Sequence, residues 1–307
     1  MPSQHDRRAR RGPGSRREGA HKESRQRGAR PSRPGPPARR KWGQHFLARP
    51  ETADRIVDAA RLAQDDCVLE IGPGDGALTR PLARRVATVV AVEIDPLRAR
   101  ALTAELGSAS EGRVVVLLGD ALSRPPGEWL AEAGVREGAV LVANLPYNAA
   151  TPIVQAALED PSIRRSIVTV QKEVARRFGA KPGDDAYGYL SVRTAARATA
   201  RILFDLPPGA FRPSPKVTSS VVALEPLADP LDPAARDAAL RLASLGFAVR
   251  RKTLANALTP LAPRETWERA LAAIGFDRRA RAEELSLADF LALAKSVPLE
   301  PAARRNE

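Results

Sequence analysis

The chain has 307 residues, 43% of them hydrophobic, which is enough for one large or two modest domains with a substantial core. Its single cysteine, Cys67, excludes an internal disulfide and a cysteine-ligated zinc site. No apolar run approaches the ~18 residues that a membrane helix needs, and no apolar stretch follows the basic N-terminus as it would in a secretory signal. We therefore expect a protein of the reducing cytoplasm that makes no membrane contact.

The formal net charge of +13 is concentrated in the N-terminal segment. Residues 1–40 contain thirteen Lys and Arg against three Asp and Glu, which leaves a net charge of only +3 for residues 41–307. The segment is otherwise rich in Pro, Gly and Ser and has almost nothing to bury, so we expect it to be disordered. Two interpretations of its role stay open: an arm that binds phosphates, or a dispensable extension that aids solubility.

The rest of the chain alternates short apolar runs with amphipathic segments, a pattern typical of an α/β fold. The predicted strands are 67–71, 88–94, 114–118, 139–143, 166–170, 199–206 and 217–224. The predicted helices around them are 51–62, 77–86, 96–106, 127–133, 151–158, 171–178 and 189–196. We expect a mainly parallel sheet of about seven strands with helices on both faces.

A glycine turn follows the first of the long strands. The sequence GPGDG at 72–76 stands between a strand and a helix, and its glycines allow backbone N–H groups to approach a nucleotide closely. Glu93 lies about twenty residues further on, as a ribose-binding acid should. Asp120, after the next strand, is placed to accept a hydrogen bond from a cofactor adenine. Taken alone, this signal is shared by dehydrogenases and methyltransferases.

The sequence NLPY at 144–147 follows the apolar run 139–143. The Asn144 side-chain oxygen and the carbonyl of Leu145 or Pro146 are suited to accept the two hydrogens of an adenine amine. Tyr147 is suited to stack on one face of a flipped base, with Phe211 on the other. This arrangement predicts a transferase that methylates an adenine amine mainly by positioning it, with no strong base.

The C-terminal part is predicted to be entirely helical. After a proline-rich linker at 225–233, helices are expected at 233–248, 251–258, 263–274 and 286–296. We divide the chain into the basic extension 1–40, an α/β domain 41–225 and a small helical domain 226–307 for substrate binding. RNA contacts are expected from basic residues in both domains: Arg164, Arg165, Lys172, Arg176, Arg177 and the cluster Arg250, Arg251 and Lys252.

The ordered chain, from residue 41 to about 296, resembles the ribosomal RNA adenine dimethyltransferases of the KsgA/RsmA type. The matching segments are GQHFL at 43–47, EIGPG at 70–74, EID at 93–95, GD at 119–120, NLPYN at 144–148, QKEV at 171–174, YGYLSV at 187–192, FRPSPKV at 211–217 and RRKTL at 250–254. The resemblance implies a Rossmann-like, seven-stranded domain that uses S-adenosylmethionine, without a metal. It also implies dimethylation of two adjacent adenosines near the 3′ end of 16S rRNA, in a small ribosomal subunit or its precursor, by a monomer.

By matched position, the resemblance implies a set of cofactor contacts: His45, Leu47, Gly72, Glu93, Asp120 and Asn144. His45 departs from the asparagine common at that position, which leaves the detail of its contact open if the side chain makes it. The sister family that methylates 23S rRNA and confers macrolide resistance shares the fold and motif order, and it is the alternative function. QKEV and RRKTL favour the small-subunit enzyme.

Two further alternatives belong to other classes of protein. A nucleotide-dependent dehydrogenase would explain the glycine turn and Glu93 but leaves NLPY without a role. A non-catalytic ribosome-assembly factor would not need an intact glycine turn or Asn144, although an enzyme can also serve in assembly.

Overall fold

The structure of the protein, a computed structural model, describes residues 45–107, 113–136 and 138–297. The predictions for residues 1–40, and for Gly43 and Gln44 of the first matching segment, lie outside the described residues. The strands are β1 (Phe46–Leu47), β2 (Cys67–Ile71), β3 (Thr88–Glu93), β4 (Val114–Leu118), β5 (Ala139–Asn144), β6 (Ile163–Gln171), β7 (Ala198–Leu206), β8 (Phe211–Arg212) and β9 (Ser219–Pro226).

Helices flank and follow the strands. They are α1 (Pro50–Ala59), α2 (Thr79–Ala83), α3 (Pro96–Leu106), α4 (Pro126–Glu132), α5 (Ala150–Glu159), α6 (Lys172–Gly179), α7 (Tyr189–Ala195), α8 (Pro233–Ala248), α9 (Leu254–Ala257), α10 (Arg264–Ala273) and α11 (Leu287–Ser296). Among the described residues, no helix is both long enough and apolar enough to cross a lipid bilayer.

Seven strands form one sheet in the order β4-β3-β2-β5-β6-β9-β7, which confirms the predicted Rossmann-like architecture. The ladders from β4 to β6 are parallel, whereas β9 runs antiparallel to both β6 and β7. The chain moves outward from β2 to β4 and then returns to place β5 on the other side of β2. This reversal of strand order makes a crevice at the carboxyl ends of β2 and β5, where open α/β sheets bind ligands.

The central strands are apolar on both faces because helices cover the sheet on both sides. In β5, Val140 and Val142 pack into a core shared with α1 and α2. Leu141 and Ala143 point the other way, into a core shared with α4, α5 and α6. This alternation fixes the register of β5 and therefore fixes which residue stands at its carboxyl end.

Several predicted boundaries differ from the structure. The helices expected at 51–62 and 251–258 are Pro50–Ala59 and Leu254–Ala257. The helix expected at 77–86 is only Thr79–Ala83, because the glycine turn continues through Leu78. The last strand begins at Ser219 instead of 217, and Val217 remains 44% exposed in the proline-rich loop before it. The strand expected at 166–170 is Ile163–Gln171. Its first residues were missed because the charged Arg164 and Arg165 interrupt the apolar pattern there.

A second, two-stranded sheet was not predicted. β1 pairs antiparallel with β8, so that Phe46 lies opposite Arg212 and Leu47 opposite Phe211. The N–H of Ala48 also donates to the carbonyl of Ala210 at 2.8 Å. This pairing brings the first ordered segment of the chain beside the loop that follows β7.

The C-terminal helices have a core of their own. Trp267, Leu271 and Phe290 are fully buried there together with residues of α8 and α9. The same core includes Tyr187, whose hydroxyl donates to the carbonyl of Leu285 at 2.7 Å, and Val192 of α7. The helical region is therefore present as expected, although its core takes in residues that precede the predicted boundary at 225.

Candidate active site

A cleft opens at the carboxyl ends of β2, β3 and β5. It has about 420 Å³ of empty space, including its mouth. Nine residues line it: His45, Phe46, Gly72, Gly74, Glu93, Ile94, Asn144, Leu145 and Pro146. Six of these were predicted as site residues from the sequence, and they come from four separate segments. Strand ends of the large sheet bring three of these segments together, and the fourth, at His45, is bonded to the Asn144 side chain.

The glycine turn forms one wall of the cleft. Gly72 and Gly74 have φ values of +71° and +58°, a region that residues with a side chain rarely adopt. A Cβ atom placed on Gly74 would lie only 2.6 Å from Cε1 of Phe46. Phe46 therefore packs directly on the backbone of the turn, and the absence of a side chain at position 74 makes that contact possible.

Glu93 ends β3 and is 1% exposed. Its Oε2 accepts a hydrogen bond from the N–H of Gly74 at 3.0 Å, and its Oε1 accepts one from the N–H of Asp95 at 2.9 Å. Burial raises the pKa of this carboxyl, and the two backbone donors oppose the increase. Glu93 thus ties the glycine turn to the end of β3, and each oxygen keeps a lone pair for a further donor.

Asn144 stands at the last position of β5 with its amide held in one orientation. Its Nδ2 donates to the carbonyl oxygen of His45 at 2.8 Å. Because a carbonyl can only accept, the nitrogen must face His45, and Oδ1 must face the other way. Among the described residues, none donates a hydrogen bond to Oδ1, so this oxygen is available as an acceptor at the cleft.

Tyr147 is half-buried beside the cleft and is held at both ends. Its hydroxyl shares a hydrogen bond of 2.6 Å with Oγ of Ser219, and its ring lies 5.0 Å from the His45 ring at an angle of 30°. Burial raises the pKa of the Tyr147 hydroxyl, with Ser219 acting in the opposite direction. His45 is anchored in turn, because its Nδ1 lies 2.7 Å from the Pro213 carbonyl and must donate to it.

Three predicted site residues lie apart from the lining of the cleft. Leu47 packs against the core that contains α1, and Phe211 is 2% exposed in the same core. Asp120 is exposed and its Oδ1 caps the next turn by accepting from the N–H of Leu122 at 2.9 Å. The stacking role of Phe211 and the cofactor role of Asp120 stay predictions; as placed, the Phe211 ring does not face solvent.

Three further residues line the cleft without having been predicted as individual site contacts: Phe46, Gly74 and Ile94. Phe46 and Ile94 directly follow the predicted site residues His45 and Glu93, and Gly74 lies two positions after Gly72. Phe46 stands inside the segment GQHFL and Gly74 inside the glycine turn, so proximity in the chain was the available signal. Their importance depends on the contact between the two, which joins residues 28 positions apart.

A second buried carboxyl lies behind the glycine turn. Glu70 in β2 is 1% exposed, and its Oε2 has no hydrogen-bond partner among the described residues. Burial raises the pKa of Glu70 to about 8; Thr79 opposes this increase, whereas the nearby Glu93 adds to it. The site therefore places two buried acids near each other, and burial raises the pKa of both.

The predicted RNA-contacting residues fall into two groups. Arg164 and Arg165 lie at the amino end of β6, away from the cleft, and bond to protein groups: Asp66 and the carbonyls of Gly138, Ala60 and Arg61. The others lie on α6 and in the turn before α9. Arg176, Arg251 and Lys252 are exposed and have no ion pair among the described residues.

Solved structures similar to this chain place the fold in a class. The 23S rRNA methyltransferase ErmE is 30% identical with a TM-score of 0.64, and the match covers 82% of this chain and 98% of that one. A dimethyladenosine transferase from Plasmodium falciparum, 24% identical with a TM-score of 0.64 over 81% of this chain and 96% of its own, supports the fold. The sheet, the glycine turn and the cleft define a Rossmann-like methyltransferase.

Sequence comparisons identify the family. The model of the family described as "Ribosomal RNA adenine dimethylase" matches residues 36–298. Proteins named ribosomal RNA small subunit methyltransferase A, from Phenylobacterium zucineum and Thermosynechococcus vestitus, are each 42% identical to this chain. These matches cover 84% of this chain and 87% and 96% of the relatives. The chain belongs to the ribosomal RNA adenine dimethylase family, and it is an enzyme.

Proposed function

We propose that the protein transfers methyl groups from S-adenosylmethionine to N6 of two adjacent adenosines near the 3′ end of 16S rRNA. The observation that carries this proposal is the fixed amide of Asn144. Its nitrogen is committed to the His45 carbonyl, so its oxygen is presented at the cleft as an acceptor. An acceptor of this kind suits an amine with two hydrogens to donate.

The residues of the cleft fit the methyl donor. Gly72 leaves the start of the turn without a side chain, and Glu93 offers buried carboxyl lone pairs of the kind that bind ribose hydroxyls. His45 and Asn144 are further proposed contacts in the lining of the cleft. Leu47 and Asp120, also proposed as contacts, do not line it. S-adenosylmethionine, when bound, supplies a methyl group on a sulfonium that is reactive toward a neutral amine.

Asn144 and its neighbours act on the target amine. The lone pair of an adenine N6 is delocalised into the ring, so the free amine is a poor nucleophile. Oδ1 of Asn144 and the carbonyl of Leu145 or Pro146 accept the two amine hydrogens, which favours a pyramidal nitrogen with a localised lone pair. Tyr147 stacks on the base and holds it in this orientation, with Phe211 proposed on the opposite face. The amine proton is then released to water.

The small-subunit target is preferred to the 23S alternative. Relatives named as small-subunit enzymes are 42% identical to this chain, whereas the 23S rRNA methyltransferase ErmE is 30% identical. We propose that the substrate is 16S rRNA in a small subunit or its precursor, and that the enzyme acts as a cytoplasmic monomer. We also propose a domain boundary near residue 225, with the C-terminal helices serving the RNA.

Exposed basic residues of α6 and of the turn before α9 are suited to hold the RNA backbone. Lys172 and Arg176 lie on α6, which begins directly after the carboxyl end of β6. Arg251 and Lys252 lie in an exposed turn of the helical region. Each phosphate contact should add about 0.7–0.9 to the slope of log affinity against log salt concentration.

Binding of the donor tests the class of cofactor. We expect the purified protein to bind S-adenosylmethionine and its demethylated product in a calorimetric titration, and not NAD. Tight binding of NAD alone would overturn the proposal in favour of a dehydrogenase.

Transfer to purified particles tests the substrate. With tritiated donor, we expect incorporation into small ribosomal subunits that lack the modification and not into large subunits. Four methyl groups per particle are expected at completion. Label in the large subunit alone would favour the 23S alternative, and absence of label in both would favour a non-catalytic assembly role.

A further inference from the structure

Among the described residues, Arg98 is the one basic residue that is buried. It lies in the first turn of α3, and its side chain is 0% exposed. It does not line the cleft. A guanidinium keeps its charge in a protein, and a buried charge without partners is strongly destabilising. The groups around Arg98 must therefore compensate its charge.

Three contacts of Arg98 lead to the wall of the cleft. Its Nη1 bonds to Oδ1 of Asp75 in the glycine turn. Its Nε lies 3.9 Å from Oδ2 of Asp95, whose N–H holds Glu93. The guanidinium carbon lies 4.2 Å from the centre of the Phe46 ring, at a distance typical of a cation–π contact.

Phe46 is therefore held between two layers. One face meets the Arg98 guanidinium, and the Cε1 edge lies so close to Gly74 that no Cβ would fit there. Three segments meet at Arg98: β1, the glycine turn and the residues after β3. The glycine turn and the residues after β3 continue neighbouring strands of the large sheet, whereas β1 belongs to the separate two-stranded sheet. Side-chain contacts therefore set the spacing of β1 from the other two segments.

We propose that Arg98 is a positioning residue that sets the shape of the donor-binding wall by joining Asp75, Asp95 and the Phe46 ring. It acts through these groups and touches neither the donor nor the target base. The inference rests on the proposed function, because the ligand of the cleft is the one proposed there. Loss of Arg98 should remove the ion pair with Asp75 and release Phe46, which would weaken donor binding more than it slows the chemistry.

Titration calorimetry with S-adenosylmethionine and S-adenosylhomocysteine tests this role. We expect Arg98→Met to raise both Kd values by at least about tenfold. The single-turnover rate at saturating donor should stay within about threefold of the unchanged enzyme, because Asn144 and Tyr147 make no contact with Arg98. Arg98→Lys keeps the charge but loses the planar group. Its Kd for the donor should lie between that of the unchanged enzyme and that of Arg98→Met.

A double substitution separates positioning from folding. In Asp75→Asn with Arg98→Met, the carboxylate that lost its ion-pair partner is replaced by a neutral amide, so we expect donor affinity to recover part of the loss. Arg193→Met is the matched control, because Arg193 pairs with Glu159 at 2.7 Å far from the cleft. It should leave both Kd values unchanged. If Arg98→Met does not fold, Arg98→Lys and the double variant carry the test.

Two results would overturn the inference. One is a folded Arg98→Met or double variant that binds the donor as tightly as the unchanged enzyme. The other is an equal loss of affinity in Arg193→Met and Arg98→Met, which would indicate a general loss of stability. Failure of the unchanged enzyme to bind S-adenosylmethionine would instead count against the proposed function, so the two failures are distinguishable.

Discussion

At the scale of single residues, Asn144 shows how a backbone contact can define a side chain's chemistry. An amide offers an acceptor at one end and donors at the other, and either end could face a substrate. The 2.8 Å bond from Nδ2 to the His45 carbonyl removes this choice. It also explains how position 45 can serve the site through its backbone, independent of its side chain.

Substitutions at Asn144 should separate the acceptor from its orientation. Asn144→Ala removes the acceptor, and Asn144→Asp keeps an acceptor but turns a carboxylate oxygen toward the His45 carbonyl. We expect both to reduce the single-turnover methylation rate by at least about 10²-fold. Filter binding of rRNA should be unchanged in both. A rate near that of the unchanged enzyme in Asn144→Asp would show that the contact with His45 does not orient the amide.

Glu70 predicts a dependence of stability on pH. Its pKa is raised to about 8 by burial, above the ordinary value of 4.5, so the folded state binds the proton more tightly than the unfolded state does. This contribution to stability is complete below about pH 4.5 and is lost as pH rises toward 8 and above. The free energy of unfolding should therefore fall over that window, at most by about 1.4 kcal/mol per pH unit for one group.

Glu70→Gln should flatten this part of the stability curve, because glutamine keeps the shape and does not ionise. Urea unfolding at pH 5, 6, 7 and 8 measures the effect, and the variant should gain most over the unchanged protein at pH 8. Glu93 also has a raised pKa, so some slope of the same sign should remain. Parallel curves for the two proteins would contradict the assignment to Glu70.

At the scale of elements, the glycine turn combines two separate demands. Gly74 needs a positive φ, and its missing side chain also admits the Phe46 ring. Gly134 also has a positive φ, +79°, but nothing lies within 4 Å of the position that a Cβ would take there. Substitutions at Gly74 and Gly134 can therefore separate the effect of backbone strain from the effect of the contact with Phe46.

We expect Gly134→Ala to lower the free energy of unfolding by about 1–2 kcal/mol and to leave donor affinity unchanged. Gly74→Ala should show a similar strain and also raise the donor Kd by about tenfold or more, since Phe46 must move. Calorimetric titration and urea unfolding of both variants check this. Equal donor affinity in the two would mean that Phe46 does not shape the binding wall.

Strands with apolar runs were predictable from the sequence, whereas contacts between distant polar or aromatic groups were not. The apolar run in β5 gave its position and hence the end at Asn144. The pairing of β1 with β8 was missed because two residues carry no periodicity, and it joins segments far apart in the chain. Arg164 and Arg165 were expected to meet RNA, but a count of charge does not show which end of a strand carries it.

The same limit applies to the candidate site. Five of its six predicted lining residues stand directly after strands of the large sheet or at their ends, where a parallel sheet gathers them at one edge. The sixth, His45, precedes β1 of the separate two-stranded sheet. The burial of Phe211 and of Arg98 depends on how whole segments pack, and neither residue has a neighbour in sequence that signals it.

At the scale of the whole molecule, most of the net charge belongs to residues 1–40, whereas the proposed chemistry belongs to the cleft. Deletion of these residues should leave turnover on small-subunit particles close to that of the full chain. Affinity for the particles should fall modestly, and most visibly at low salt, because such an arm would bind phosphates without specificity. Steady-state kinetics at two salt concentrations check this. A collapse of turnover at saturating particles would show that the segment belongs to the site.

Mass mapping of methylated adenosines on rRNA, from cells with and without this protein, tests the central claim most directly. We predict two adjacent N6-dimethylated adenosines near the 3′ end of 16S rRNA in cells that contain the protein. In cells that lack it, both should be unmodified, and expression of the Asn144→Ala variant should not restore them. Unchanged 16S rRNA together with the loss of a methylated adenosine in 23S rRNA would contradict the account.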